Sequence, residues 1–127
     1  MKLLKCPICG NVVEVIEDHR VPLMCCGKKM EVVEVGIVDA AVEKHIPIVN
    51  VEGNYLNVVV GEVIHPMTPE HLITNIWVEF ADGSMKKVSL TENDKPVAKF
   101  DIDGKKGKVI VYEYCNLHGL WQTEIEL

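Results

Sequence analysis

The sequence predicts an all-β protein, a small metal-bound N-terminal module followed by a β-sandwich. Three observations carry that expectation. Valine and isoleucine are abundant, 20 and 11 of 127 residues, and they sit in short runs or alternations of the kind a pleated, half-buried surface needs. Glycine- and proline-bearing turns separate the runs, and no long stretch has helical period. Four of the five cysteines are gathered at the start, and Cys115 stands 89 residues beyond Cys26. The chain therefore has two chemical neighbourhoods.

Taken in order, the first β run is Val12-Val13-Glu14-Val15-Ile16, between the cysteine pairs Cys6/Cys9 and Cys25/Cys26. A boundary is expected near Gly36 to Ala41, giving domains 1–37 and 38–127. Beyond it the turn Glu52-Gly53-Asn54 precedes a run from Tyr55 to Ile64, and Ala81-Asp82-Gly83-Ser84 follows Ile76-Trp77-Val78-Glu79-Phe80. Asn93-Asp94-Lys95-Pro96 and Asp103-Gly104-Lys105-Lys106-Gly107 hold residues that tolerate positive φ or preset a turn. The last run is Val109-Ile110-Val111-Tyr112. Short strands at this spacing predict a sandwich. There is no internal repeat, low-complexity tract or Ser- or Pro-rich linker.

Composition narrows the function classes. Hydrophobic residues at 48% and charged ones at 25% match an ordinary globular domain, and no run approaches the ~18 apolar residues of a membrane helix. A net charge of -6 gives no general attraction to nucleic acid or an anionic membrane. An anionic substrate would need a local positive field. The start, Met1-Lys2-Leu3-Leu4-Lys5-Cys6, leaves no room for the apolar segment of an export signal, so a cytoplasmic location is expected.

In a reducing compartment, cysteines are metal ligands more often than disulfides. Cys6-Pro7-Ile8-Cys9-Gly10 is a knuckle that supplies half a tetrahedron, and Cys25-Cys26 after fifteen intervening residues supplies the other half. Four thiolates select iron or zinc, and the spacing does not choose between them. An adjacent pair must splay its side chains, which departs from the paired Cys-x-x-Cys of a common zinc ribbon.

The second neighbourhood holds His45 before Ile46-Pro47, His65 and His71 in His65-Pro66-Met67-Thr68-Pro69-Glu70-His71, and Cys115-Asn116-Leu117-His118. Two prolines stiffen the 65–71 loop so that it can present both imidazoles to one point. A lone histidine beside a strand is more often a satisfied core or surface residue, and His19 in Glu17-Asp18-His19-Arg20 reads as a solvated turn. Four histidines with one cysteine, each histidine near a Pro or Gly, point together to a metal site. Five ligands on ferrous iron would leave a sixth position open. A blue-copper site wants two His, one Cys and usually a Met after the second His, and residues 119–127 contain no Met. A structural zinc closes with four ligands.

These motifs resemble the desulfoferrodoxin family, the two-iron superoxide reductases. The resemblance rests on Cys6-x-x-Cys9, Cys25-Cys26, Glu43-Lys44-His45-Ile46-Pro47, His65-Pro66-Met67 with His71, and Cys115-Asn116-Leu117-His118-Gly119-Leu120-Trp121. It implies two non-haem irons. The N-terminal part is similar to a desulforedoxin module with a rubredoxin-type iron on Cys6, Cys9, Cys25 and Cys26. The remainder is similar to an immunoglobulin-like catalytic domain with iron on equatorial His45, His65, His71 and His118 and axial Cys115. The resemblance further implies one-electron reduction of superoxide to hydrogen peroxide, a rubredoxin-like electron donor, a homodimer, and a Glu43 able to take the sixth position after product leaves. Lys44 beside His45 would attract the anion and orient a water. On spacing alone, Glu43 and Lys44 read more simply as a pair of solvated surface charges. Members of the family carry a glycine-containing turn near residues 17–20, where this chain has Glu-Asp-His-Arg. The rival expectation is a non-catalytic electron carrier or a zinc-stabilised binding module.

Overall fold

The computed structural model describes residues 1–36 and 42–127, with side chains from Lys44 onward in the second stretch. The boundary expected between residues 37 and 38 lies outside the described residues. The chain divides into two compact units, Met1–Glu34 and Val35–Leu127.

The first unit is a three-stranded antiparallel sheet in the order β2-β1-β5, with β1 at Leu3–Lys5, β2 at Val12–Glu14 and β5 at Glu31–Val32. A two-stranded ribbon, β3 (Met24–Cys25) with β4 (Lys28–Lys29), carries the second cysteine pair. Its core is small: Leu4, Cys6 and Met30 are buried, with Val13, Val15 and Cys25 packed against them. So few apolar contacts cannot offset the ordering of this many residues, and segments below about 40 residues usually need a metal, disulfides or a partner chain.

The second unit is a β-sandwich. Helix α1 (Val42–His45) is one turn, and seven strands follow: β6 (Pro47–Glu52), β7 (Tyr55–Val60), β8 (Ile73–Glu79), β9 (Met85–Ser89), β10 (Val97–Asp101), β11 (Lys108–Cys115) and β12 (Gly119–Glu126). They form one sheet in the order β10-β7-β6 and another in the order β12-β11-β8-β9, with every pairing antiparallel. This three-plus-four arrangement is that of an immunoglobulin-like sandwich. Leu56, Val58 and Val60 from one sheet meet Ile73, Ile76, Val78, Val109, Val111 and Cys115 from the other in a single buried cluster. Each such aliphatic side chain stabilises the sandwich by roughly 1.5–3 kcal/mol. Among the described residues no helix is long and apolar enough to cross a membrane.

Strand ends differ from the expected runs where geometry intervenes. The run to Ile64 stops at Val60, because Gly61 turns the chain at φ 87 and a Cβ there would lie 2.4 Å from the Val63 carbonyl oxygen and 2.7 Å from that of Lys44. Val63 and Ile64 are consequently exposed. Strands β9, β10 and β12 have no apolar run longer than two side chains; β9, Met85-Lys86-Lys87-Val88-Ser89, buries little and is held by its ladder to β8. The turns at Gly53, Gly83 and Gly104 adopt positive φ.

In the 17–20 turn, Arg20 occupies the left-handed region at φ 60, and its amide donates to the Asp18 carboxylate at 2.8 Å. His19 is exposed and pairs with Glu17 at 3.1 Å. The aspartate thus holds a turn that glycine would make without strain. An arginine there costs on the order of 1 kcal/mol, partly offset by the greater entropy that glycine would lose. Arg20→Gly should therefore stabilise the first unit by up to about 1 kcal/mol; a lower denaturation midpoint for loss of its metal chromophore would reverse that account.

Candidate metal centres

In the first unit the four sulfurs of Cys6, Cys9, Cys25 and Cys26 lie within 4.8 Å of one another. Cys9 and Cys25 are 3.7 Å apart, and Cys25 and Cys26 are 4.0 Å apart. A tetrahedron with arms of ~2.3 Å has edges of about 3.8 Å, so the spacing suits one ion. Amides converge on the sulfurs: Ile8 and Cys9 N–H donate to Cys6 Sγ, and Asn11 N–H to Cys9 Sγ, each at 3.4 Å. Gly10 permits this at φ 81. The neighbouring pair splays because Cys26 sits in the left-handed region at φ 52 and Gly27 follows at φ 70. The Cys9 amide, followed by that of Ile8, draws the Cys6 thiol down to about 6. Cys26, sharing its proton first with Cys9, is pushed up to about 12. Four sulfurs this close cannot all ionise unless a cation sits among them.

In the second unit three segments meet. Helix α1 brings His45, the loop after β7 brings His65 and His71, and the β11–β12 hairpin brings Cys115 and His118. The five ligand atoms lie within 4.8 Å of one another. The imidazoles form a ring in the order 45, 65, 71, 118. Neighbouring rings stand near-perpendicular, with centroids 4.6–4.9 Å apart, whereas His45 and His71 face each other nearly parallel at 6.4 Å. His45 Nε2 is 3.2 Å from His65 Nε2 and 3.1 Å from His118 Nδ1. Arms of ~2.1 Å at right angles give edges of about 3.0 Å, whereas a tetrahedron of the same arms gives about 3.4 Å. The set is a square. Cys115 Sγ, fully buried in the sandwich core, lies 3.9 Å from His118 Nδ1 and completes the five-donor group. His71 and His118 keep some exposure on the other side.

The protonation states suit an ion. His65 Nδ1 is 2.7 Å from the Pro66 carbonyl oxygen, which can only accept, so Nδ1 carries the proton and Nε2 turns a bare lone pair inward. Burial draws His65 down to about 4 and lowers His71 as well, keeping both neutral as ligands must be. His71 Nε2 is buried with no hydrogen-bond partner among the described residues. Burial raises the Cys115 thiol, and a cation would reverse that by paying for the buried thiolate charge.

The backbone explains the aim of each ligand. A bulge in β8, where Tyr114 pairs with Asn75 but Cys115 pairs with Ile73, re-aims the end of β11. A three-residue loop follows, closed by Gly119 at φ 81, which puts Cys115 and His118 on one turn. Sequence reasoning assigned no role to four residues here. Asn116 ties this loop to the 65–71 loop, accepting from Leu72 N–H at 3.0 Å and donating to the Glu70 carbonyl at 2.9 Å. Thr68 Oγ1 accepts from the His71 amide at 3.1 Å. Trp121 donates to the His118 carbonyl at 3.0 Å while its ring lies 26° from that of His45, centroids 5.1 Å apart. Glu113, fully buried, has neither carboxylate oxygen hydrogen-bonded among the described residues, and burial pushes it up to about 9. Asn and Thr side chains near Pro and Gly read as ordinary turn chemistry, and only the 46-residue separation of Asn116 from Glu70 reveals the tie. Lys44 is exposed and close enough to His71 to lower it electrostatically. The side chain of Glu43 lies outside the described residues.

The family comparisons agree with this geometry. The profile of the Desulfoferrodoxin family matches residues 37–124, and that of the Desulfoferrodoxin N-terminal domain matches residues 1–36. The chain belongs to the desulfoferrodoxin family. A desulfoferrodoxin homolog of Archaeoglobus fulgidus is 42% identical, covering 97% of this chain and 96% of its own. The desulfoferrodoxin of Nitratidesulfovibrio vulgaris is 44% identical over 97% of this chain and 95% of its own. The crystal structure of a superoxide reductase from Treponema pallidum superposes with a TM-score of 0.71 at 34% identity, covering 94% of this chain and 98% of its own. The four-sulfur group and the four-histidine, one-cysteine group match the two-iron arrangement of desulfoferrodoxins.

If Asn116 orients the desulfoferrodoxin ligand loops, Asn116→Ala should cost about 1–3 kcal/mol through its two lost hydrogen bonds. Chemical denaturation checks it, and an unchanged midpoint would mean that the loops hold themselves.

Proposed function

We propose that the chain is a superoxide reductase. The observation that carries this reading is the convergence of four imidazole nitrogens with the Cys115 sulfur, a five-donor set of mixed nitrogen and thiolate character that would hold ferrous iron. His45, His65, His71, His118 and Cys115 would hold the catalytic iron, and Cys6, Cys9, Cys25 and Cys26 a second one. When bound, ferrous iron at the first set supplies the single electron that superoxide needs to become hydrogen peroxide, together with two protons. A divalent ion with one thiolate leaves a local charge of about +1 on a protein of net charge -6.

This chain's own groups do the rest. Lys44, exposed beside His45 and near His71, adds a second positive charge that draws the anion toward the open side. Its ammonium would hold a water that relays protons from solvent to the reduced substrate. Buried Cys115 would supply the one thiolate of that set. By family resemblance, Glu43 would serve as a further ligand to that iron. A one-electron donor of rubredoxin type completes the cycle. Cysteines used as metal ligands fit a reducing, cytoplasmic setting, and a second copy of the chain, expected from the family resemblance, makes a homodimer.

Two variants test the reading. Lys44→Gln should slow the reaction with superoxide by about tenfold and flatten its salt dependence while iron stays bound; stopped-flow rates equal to wild type would take Lys44 out of the mechanism. Cys115→Ser should remove the thiolate-to-iron visible absorption of the oxidised protein together with most activity. Retention of that band would assign the thiolate elsewhere.

A further inference from the structure

The 65–71 loop has to hold two imidazoles, and its two ends are fastened differently. Toward His71 the ties are polar and reach across the fold. Thr68 and His71 exchange backbone hydrogen bonds at 2.9 and 3.2 Å, while Asn116 accepts from Leu72 N–H and donates to the Glu70 carbonyl. Toward His65 the ties are short-range: its amide donates to the Val60 carbonyl at 3.3 Å, and its ring reaches the carbonyl of Pro66, the next residue. Pro66 has no amide proton to donate. Neither His65 bond joins this half of the loop to the sheet that carries Cys115.

Met67 makes that link. It is half-buried against the inter-sheet cluster that includes Ile73 and Cys115, and its Sδ accepts the Ile73 N–H at 3.4 Å. Ile73 is fully buried and is the β8 residue paired with Cys115 just past the bulge, where Thr74 is the extra residue. A bulge disrupts the ladder locally, and a buried amide without an acceptor is destabilising. A thioether is a weak acceptor, but it is polarizable and unbranched. It can therefore meet an amide inside an apolar cluster without bringing a donor that would itself need a partner.

We propose that Met67 is a positioning residue for the centre of four histidines and one cysteine: its sulfur pins the His65 half of the ligand loop to the strand residue paired with Cys115. Met67 then sets the separation of His65 from Cys115 through β8–β11 register, as groups behind a ligand commonly tune a metal site. The identity of the ion rests on the reading of this centre as an iron site, while the tie itself is a property of the chain. The competing account is that Met67 only fills volume between the sheets, in which case an apolar side chain of similar size would serve as well.

Two variants of opposite chemistry separate these accounts. Met67→Leu keeps the apolar volume and removes the acceptor; Met67→Gln packs less well but offers its amide oxygen as an acceptor. Hydrogen exchange on the iron-loaded full chain, read residue by residue by mass spectrometry, should show the Ile73 amide exchanging about tenfold faster in Met67→Leu than in wild type, and close to wild type in Met67→Gln. In competition with a chelator, Met67→Leu should hold iron at this centre about tenfold more weakly, with Met67→Gln between it and wild type. A space-filling Met67 predicts the reverse order, with Met67→Leu nearest wild type. An Ile73 amide unprotected in wild type, exchange in Met67→Leu equal to wild type, or faster exchange with unchanged iron retention overturns the proposal. So does a Met67→Gln that fails to improve on Met67→Leu in exchange or in iron retention. A wild type that takes up no iron at this centre would sink the iron reading instead, and exchange at Ile73 in the zinc-loaded chain would still decide the tie.

Discussion

Lone pairs from four imidazoles and a sulfur brought within 4.8 Å of one another repel unless a cation stands between them. That constraint organises the second unit. A carbonyl bond selects the His65 tautomer, and burial favours the neutral forms of His65 and His71. The order of the imidazoles and the near right angles between their rings favour a square over a tetrahedron, which separates this site chemically from the four-sulfur one.

The sandwich matters because it fixes where the sulfur stands. Cys115 belongs to the apolar cluster between the sheets and is also a ligand, so its position is set by packing on one side and by chemistry on the other. The bulge in β8 and the tight loop closed by Gly119 convert strand geometry into ligand geometry, and Asn116 then locks two loops that are far apart in the chain. Gly61 does similar work from the opposite sheet, since any side chain there would strike the Lys44 carbonyl behind His45. Mutations at these positions would act on catalysis without touching substrate.

The first unit obeys a different economy. With only Leu3, Leu4, Cys6 and Met30 buried among its described residues, it takes its order from the amides around its sulfurs and from the ion these imply. Its exposed ligands are then a consequence of smallness: a module that cannot enclose its metal leaves an edge of it at the surface. The aspartate-held Arg20 turn shows the same thrift, a local hydrogen bond standing in for a glycine.

Both donor sets were legible in the sequence because their information is local. Cys-x-x-Cys, the adjacent cysteines, the proline-stiffened 65–71 loop and Cys-x-x-His each place two ligands within one turn or loop, where spacing alone dictates reach. The β class was equally legible from valine and isoleucine runs, although polar-edged strands such as β9 escaped, since their pairing comes from a neighbour rather than from their own pattern. Tertiary structure alone decided the order of the imidazoles, which nitrogen of each faces inward, the burial of Glu113 with no partner for its oxygens among the described residues, and the ties made by Asn116 and Trp121. Those features depend on residues tens of positions apart being brought to one place by strand register, and no short-range pattern of residues encodes register across two sheets.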